Sequence, residues 1–148
     1  MVLSDSENLT LDALCAKSRE AILAIADKVL ELAAPGTIYT NALDSQIQRL
    51  LLRLSWHMGF WKSYGTRDTA DRAQAGANLI GQTVIMGKGG RWNDISTILY
   101  STLETINSMA LVPDKNRLSP LVLQQLYGQI DADLKVVRIQ FSARAARS

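Results

Sequence analysis

The sequence predicts an all-α protein: a single-domain bundle of about five helices, with a long central helix and a coiled-coil-like C-terminal helix. Three observations support this. Apolar residues recur at three- and four-residue intervals along most of the 148 residues. Short groups containing glycine, proline or asparagine separate these stretches. The one segment with extended character, residues 37–41, has no second strand to pair with.

The composition is that of one folded domain. Hydrophobic residues make up 47% and charged residues 20%, with three prolines, as in ordinary globular chains. No apolar run approaches the roughly 20 residues that span a bilayer, and the N-terminal MVLSDSENLT is acidic and polar, unlike a signal peptide. The single cysteine, Cys15, lies on an apolar helix face. These features predict a cytoplasmic protein whose domain spans residues 1–148.

Charge alternates along the chain although the net charge is only +2. Residues 1–48 carry seven acidic and three basic groups (3 − 7 = −4), and residues 49–91 carry two acidic and seven basic groups (7 − 2 = +5). Residues 92–134 return to −3 (2 − 5), and residues 135–148 hold four basic groups and no acid. This pattern is typical of helices with complementary surfaces, or of partner contacts through the two basic segments.

Residues 1–9 are predicted to be a loose leader, and a first helix is predicted over residues 11–33. Thr10 is its expected cap, with Asp12 near the positive end of the helix dipole. Its apolar stripe consists of Leu11, Leu14, Cys15, Ile22, Ile25, Val29 and Leu32. The sequence Ala-Pro-Gly at residues 34–36 ends this helix, because proline cannot continue it.

Residues 43–61 are predicted to form the central helix, beginning near Asn41 or Asp44. One apolar stripe runs through Leu43, Ile47, Leu50, Leu51, Leu54, Met58 and Trp61. Leu52, Trp56 and Phe60 recur at four-residue intervals on roughly the opposite side. A helix that is apolar on two sides is normally covered by neighbours on both, or by one neighbour and a partner chain.

Three further helices follow. Residues 70–86 have a narrow face of small side chains that permits close helix packing, and their cap is expected within residues 66–69, most simply at Asp68 or Thr69. The fourth helix is expected to start after Asn93 or Asp94, and residues 113–116 form a turn. Ser119 and Pro120 open the last helix as N-cap and first helical residue.

The last helix carries a heptad seam. Its residues are Leu123, Tyr127, Ile130, Leu134, Val137 and Phe141, at alternating intervals of four and three. This seam packs either inside the bundle or against a second chain, and the sequence does not distinguish the two. Residues 142–148 are predicted to be a frayed basic tail.

Aromatic and basic residues concentrate on the central helix, where Arg49, Arg53, Trp56 and Phe60 share one side. These residue types are enriched at protein–protein interfaces, and arginine interleaved with aromatic rings also binds nucleic acids. Alternatively, the rings belong to the core and the arginines reach over them to water.

A glycine-rich segment before the fourth helix is a weak candidate for anion binding. It contains Lys88, Gly89, Gly90 and Arg91. Its backbone N–H groups and cations suit a phosphate or sulfate. However, it follows a helix rather than a strand and lacks the spacing of a phosphate-binding loop, so a flexible connector is the alternative.

No catalytic or metal site is predicted, and no cofactor. His57 is the only histidine, with no carboxylate three or four residues away to orient it. Asp131 and Asp133 lie on different sides of their helix, so they do not form an acid–base pair.

The function predicted is therefore that of a non-catalytic protein–protein interaction protein, such as a helical adaptor, regulator, chaperone or immunity-type protein. Its partner is another protein or a second copy, which would make it a homo-oligomer. The contact is expected through the heptad seam together with the arginines and rings of the central helix. The alternative is a small helical nucleic-acid-binding protein that uses the basic segments 49–72 and 135–147. An enzyme with an unfamiliar site is the least favoured class, since the residue types that most often carry out catalysis are few and scattered in this sequence.

Overall fold

The computed structural model describes residues 3–140 and confirms an all-α bundle of five helices. The helices are α1 (Asp5–Leu32), α2 (Asn41–Tyr64), α3 (Arg67–Gly87), α4 (Ser96–Asn107) and α5 (Pro120–Gln140), with a short 3₁₀ helix at Lys115–Arg117. Within residues 3–140 there is no strand, only one isolated bridge between Gly65 and Pro113. None of the helices in this range has the length and apolar character that a bilayer span requires.

Helix α1 begins earlier than the sequence analysis predicted. Ser4 is the N-cap: its hydroxyl accepts from the N–H of Glu7, and the Glu7 carboxylate accepts from the N–H of Ser4 at 2.8 Å. This reciprocal arrangement is a capping box. The loose leader over residues 1–9 is therefore wrong from residue 4 onward, and Thr10 is not the cap. The Ser-x-x-Glu spacing was the sequence signal that would have located this start.

The middle of the bundle is shared by two helices. Helix α1 packs against α2, α4 and α5, while α2 lies between α1 and α3, and α3 packs against α4. The first apolar stripe of α2 is fully or almost fully buried by these neighbours. Inside the core, the indole N–H of Trp61 donates to the hydroxyl of Ser18 at 2.8 Å, which satisfies both buried polar groups.

The heptad seam of α5 faces the core of its own chain. Leu123, Ile130, Leu134 and Val137 are at most 1% exposed, and Tyr127 is half-buried. Helix α1 is the neighbour that covers α5, and Lys17 of α1 pairs with Asp131 of α5 at 3.4 Å. The prediction that these seam residues bind a partner chain is wrong for this fold, because α1 already occupies that face. Phe141, the sixth seam residue, and the tail 142–148 lie outside the described residues.

The small face of α3 allows the close approach that the sequence indicated. A Cβ atom added at Gly76 would lie 3.0 Å from the sulfur of Met58 on α2, closer than side chains normally pack. Helix α3 begins at Arg67 with Thr66 at the N-cap position, which is the first residue of the predicted range 66–69 and not the favoured Asp68 or Thr69. Thr69 is instead buried, and its hydroxyl donates to the carbonyl of Ala110 at 3.2 Å.

The glycine-rich segment before α4 is folded around a carboxylate of the chain itself. Gly89 and Gly90 have φ values of +84° and +85°, which glycine adopts readily. Their N–H groups donate to Asp44 of α2 at 3.3 and 3.2 Å. The indole N–H of Trp92 and the side-chain amide of Gln48 donate to the same carboxylate, at 2.6 and 2.8 Å.

The predicted anion site is therefore occupied internally. The residues named for it were Lys88, Gly89, Gly90 and Arg91. The N–H groups of Gly89 and Gly90 bind the carboxylate of Asp44 rather than a phosphate or sulfate, and among the described residues no hydrogen bond or ion pair joins Lys88 or Arg91 to that carboxylate. The loop also places the indole of Trp92 in the core, fully buried.

This loop also displaces the start of α4. The helix begins at Ser96, and its N-cap position is Ile95, which has no side-chain cap; the predicted caps Asn93 and Asp94 lie in the preceding turns. Gly87 is required at the end of α3, since a Cβ there would collide with the indole of Trp92. The segment thus joins α3 to the start of α2 as well as to α4.

Replacing Asp44 by Asn is expected to lower the free energy of unfolding by about 2 kcal/mol, because hydrogen bonds to a charged acceptor stabilise by about 1.5–3 kcal/mol. Burial alone would raise the pKa of Asp44, but the hydrogen bonds from Trp92 and the two glycine amides outweigh it and lower the pKa. Urea unfolding measures the change. Asp27→Asn, at an exposed position of α1, is the control, and equal effects of the two substitutions would contradict the cradle's role.

Candidate protein-binding groove between α2 and α5

A groove of about 620 Å³ lies between α2 and α5. Arg49, Leu52, Arg53 and Trp56 line it from α2, and Gln129, Ala132, Asp133 and Val136 line it from α5. We call this set the α2–α5 groove. It exists because α1 packs closely against both helices, whereas α2 and α5 are held to each other mainly by side chains.

Two large apolar side chains of the groove remain in contact with solvent. Leu52 is 63% exposed and Trp56 is 45% exposed. The indole of Trp56 packs edge-on against the imidazole of His57, with ring centroids 5.0 Å apart. The indole also packs beside the ring of Phe60, with ring centroids 6.2 Å apart. Trp56 is therefore anchored on its inner edge and open on its outer face.

Phe60 does not belong to the exposed set. It is only 6% exposed, and its ring lies 5.2 Å from the rings of both Trp61 and Tyr64. Its assignment as a partner-binding residue is wrong, because the aromatic row of α2 passes from the surface at Trp56 into the core within one helical turn. Of the four α2 residues predicted to act together, the structure brings Arg49, Arg53 and Trp56 into one groove.

Asp133 bridges the two walls of the groove. One carboxylate oxygen accepts from the guanidinium of Arg53, and the other lies 2.8 Å from Nε2 of His57. The Asp133 side chain is 14% exposed, Arg53 is 32% exposed, and His57 is fully buried. Burial favours the neutral carboxyl, but hydrogen bonds from His57 and Arg53 outweigh it and lower the pKa of Asp133. The ionised carboxylate makes Nε2 of His57 the donor.

This bridge was missed by the sequence analysis. The two partners of Asp133 lie 76 and 80 residues away in sequence, so no local spacing points to them. One signal was present: Asp133 stands three residues after Ile130 and four before Val137, both of which are seam residues. An acid at that helical spacing faces the edge of a buried seam and needs a partner there.

The His57–Asp133 pair lies inside the fold on its histidine side. His57 is fully buried, and its Nδ1 has no hydrogen-bond partner among the described residues. Within residues 3–140, no three of the His, Cys, Asp and Glu side chains come together as a metal site requires. Burial, and then the charge of Asp12, raise the pKa of Cys15 to about 11, which keeps its thiol protonated at neutral pH.

The basic groups around the groove differ in their partners. Lys135 pairs with Asp131 at 3.0 Å, and Arg138 pairs with Glu20 of α1. Arg49 is exposed and makes no ion pair with any described residue. It is therefore a cation at the mouth of the groove whose charge no carboxylate of residues 3–140 neutralises.

No protein-family model matches this chain, and neither curated proteins nor solved structures contain a detectable match. The functional assignment consequently depends on the geometry of the groove alone.

Replacing Asp133 by Asn is expected to lower the free energy of unfolding by about 3 kcal/mol, because the amide has no charge and offers one acceptor oxygen to two donors, the guanidinium of Arg53 and the buried imidazole of His57. Asp131→Asn is the matched control, two residues earlier on the same helix, because its side chain is 28% exposed, compared with 14% for Asp133. Its effect is expected to be much smaller, since surface ion pairs stabilise little. Similar losses in both variants, measured by urea unfolding, would contradict the bridging role.

The same bridge predicts a pH dependence. The folded-state pKa of Asp133 lies below its unfolded value of about 3.9. Its contribution is therefore present above that value and is lost as the pH falls below it toward the folded-state pKa. Urea unfolding at successively more acid pH is expected to show a smaller acid-induced loss for Asp133→Asn than for the unmodified chain. Identical acid dependence of the two proteins would refute this assignment.

Proposed function

We propose that this chain is a non-catalytic protein that binds another protein through the α2–α5 groove. The observation that supports the proposal most directly is the exposure of Leu52 and Trp56 side by side on one helix face. Full burial of an exposed apolar side chain contributes about 1.5–3 kcal/mol, and Leu52 and Trp56, which are partly buried already, forgo only a fraction of that each. A partner that covers them recovers part of this free energy.

The residue types of the groove also favour a protein partner. Tryptophan and arginine are the types enriched among residues that dominate binding energy. Trp56 is held on its inner side by His57 and Phe60, so it loses little conformational entropy when a partner docks. On the opposite wall, Gln129, Ala132 and Val136 carry no charge, and the carboxylate of Asp133 is already engaged by Arg53 and His57.

A catalytic role is not proposed. The only histidine is buried and serves the bridge to α5, and the cysteine has a raised pKa. The proposal includes a cytoplasmic location, which is supported by the single free cysteine. Adaptor, regulator, chaperone and immunity-type roles all remain within it.

The nucleic-acid alternative is weaker on the described residues. Several cations of its two basic segments pair with carboxylates: Arg53 with Asp133, Arg72 with Asp68, Lys135 with Asp131, and Arg138 with Glu20. Such pairing reduces the positive potential that attracts phosphates. Arg144 and Arg147 lie outside the described residues. Binding to DNA or RNA that falls steeply with salt would favour this alternative.

Self-association stays a prediction. It cannot use the buried α5 seam, so it would have to use an exposed surface such as the α2–α5 groove. Sedimentation of the purified chain over a range of concentrations measures it.

A photo-activatable cross-linking residue at position 52 is expected to give a discrete adduct with another protein in the cells that make this chain. Introducing Trp56→Ala in the same chain should remove the adduct, because the anchoring indole is lost. The control places the cross-linker at position 85, where Ile85 is 64% exposed, compared with 63% for Leu52. Equal adducts from both positions, or none from position 52, would refute the proposed surface.

A further inference from the structure

The chemistry of the groove also specifies the occupant, if the proposed function holds. We propose that the α2–α5 groove receives an amphipathic helix of another protein, with an apolar side chain against Leu52 and Trp56 and an acidic side chain paired with Arg49. Two independent features of the described residues support this, the form of the groove and its charge, and the charge also argues against a second copy of this chain.

The form of the groove favours a helix. Both walls are helices, and their lining segments, residues 49–56 and 129–136, each span about two turns. A third helix can lay its apolar stripe between them by fitting side-chain ridges into the space between the walls. An extended peptide would need an open strand edge for its backbone hydrogen bonds, and residues 3–140 contain no strand that offers one.

The charge of the groove favours an acidic occupant. Asp133 is the only acidic residue of the lining, and its two oxygens are engaged by Arg53 and His57. Arg49 has no carboxylate partner within residues 3–140, and the remaining lining residues are uncharged. Docking of an apolar helix partly removes Arg49 from water, which strengthens its attraction to a carboxylate on that helix.

The same charge disfavours a second copy of this chain. A two-fold contact places the same patch on both sides of the interface. The groove lining carries two cations, Arg49 and Arg53, against one anion, Asp133 (2 − 1 = +1), so two facing copies would bring two patches of net positive charge together. Like charges brought together in an interface oppose binding. The occupant is therefore a different protein that supplies the missing acid.

The test selects ligands without assuming a sequence. A displayed library of helical peptides carries a fixed leucine stripe at three- and four-residue intervals, and its flanking positions vary among Glu, Gln and Lys. The full 148-residue chain is the target. We expect the enriched peptides to be acidic, and to bind about tenfold more tightly than the same peptides with Lys in place of Glu.

Charge reversal on the protein provides the decisive arm. When the Arg49→Glu variant is the target, the selection is expected to enrich Lys-containing peptides instead. Arg49 is exposed, so this variant should fold, and circular dichroism verifies that it does. Leu52→Ala is expected to weaken binding of the acidic peptides, while Ile85→Ala, at matched exposure, should leave it unchanged.

Enrichment that is indifferent to charge, or unchanged by Arg49→Glu, would overturn the inference. So would an absence of enriched peptides, or binding that Leu52→Ala leaves intact. The proposed function fails separately: an adduct from position 52 without a preference for acidic helices keeps protein binding and rejects this partner. Concentration-dependent dimers abolished by Leu52→Ala would replace the acidic helix with a second copy.

Discussion

A helix with apolar side chains on two faces buries only the side chains that neighbouring helices cover. In this molecule, that constraint determines which apolar side chains of α2 are buried and which are exposed. Helices α1 and α3 enclose the main stripe of α2, so Leu50, Leu54 and Trp61 are fully buried. The second row of α2 is covered only at its Phe60 end. Leu52 and Trp56 stay at the surface because α1, and not α2, is the close partner of the α5 seam. The exposed groove follows from this division of the apolar surface.

Two aspartates hold neighbouring parts of the bundle to α2. Asp44 ties the loop before α4 to the first turns of α2 through three donors of the loop, those of Gly89, Gly90 and Trp92. Asp133 ties α5 to α2 through Arg53 and His57. Each carboxylate accepts hydrogen bonds from groups that would otherwise be left unsatisfied in a partly buried setting. Asp133 also neutralises Arg53, so Arg49 is the cation that gives the groove its net positive charge.

Periodicity and turn chemistry predicted much of the fold, since both are local. The five helices, the break at residues 34–36, the Ser119 cap of α5 and the small face around Gly76 are confirmed. The burial of the seam and the partners of Asp44 and Asp133 are contacts between residues distant in sequence, and a single sequence contains no signal that pairs them. The early start of α1 is different, because its signal is local: Ser4 and Glu7 have the spacing of a capping box.

For the candidate site, sequence alone identified Arg49, Arg53 and Trp56 as a group but added six residues that do not belong. Leu123, Ile130, Leu134, Val137 and Phe60 are core, and Tyr127 is half-buried beside them. Amphipathic spacing shows which face is apolar, but not which neighbour covers it. The second wall of the groove, from Gln129 to Val136, was invisible for the same reason.

Acrylamide quenching of tryptophan fluorescence tests the central claim, that the folded chain leaves one indole outside and two inside. Trp56 is 45% exposed, whereas Trp61 and Trp92 are fully buried. The account predicts that Trp56→Phe removes nearly all of the quenchable emission, and that urea makes the remaining tryptophans accessible. Strong quenching that persists in the folded Trp56→Phe variant, or an unmodified chain that resists quenching, would contradict it.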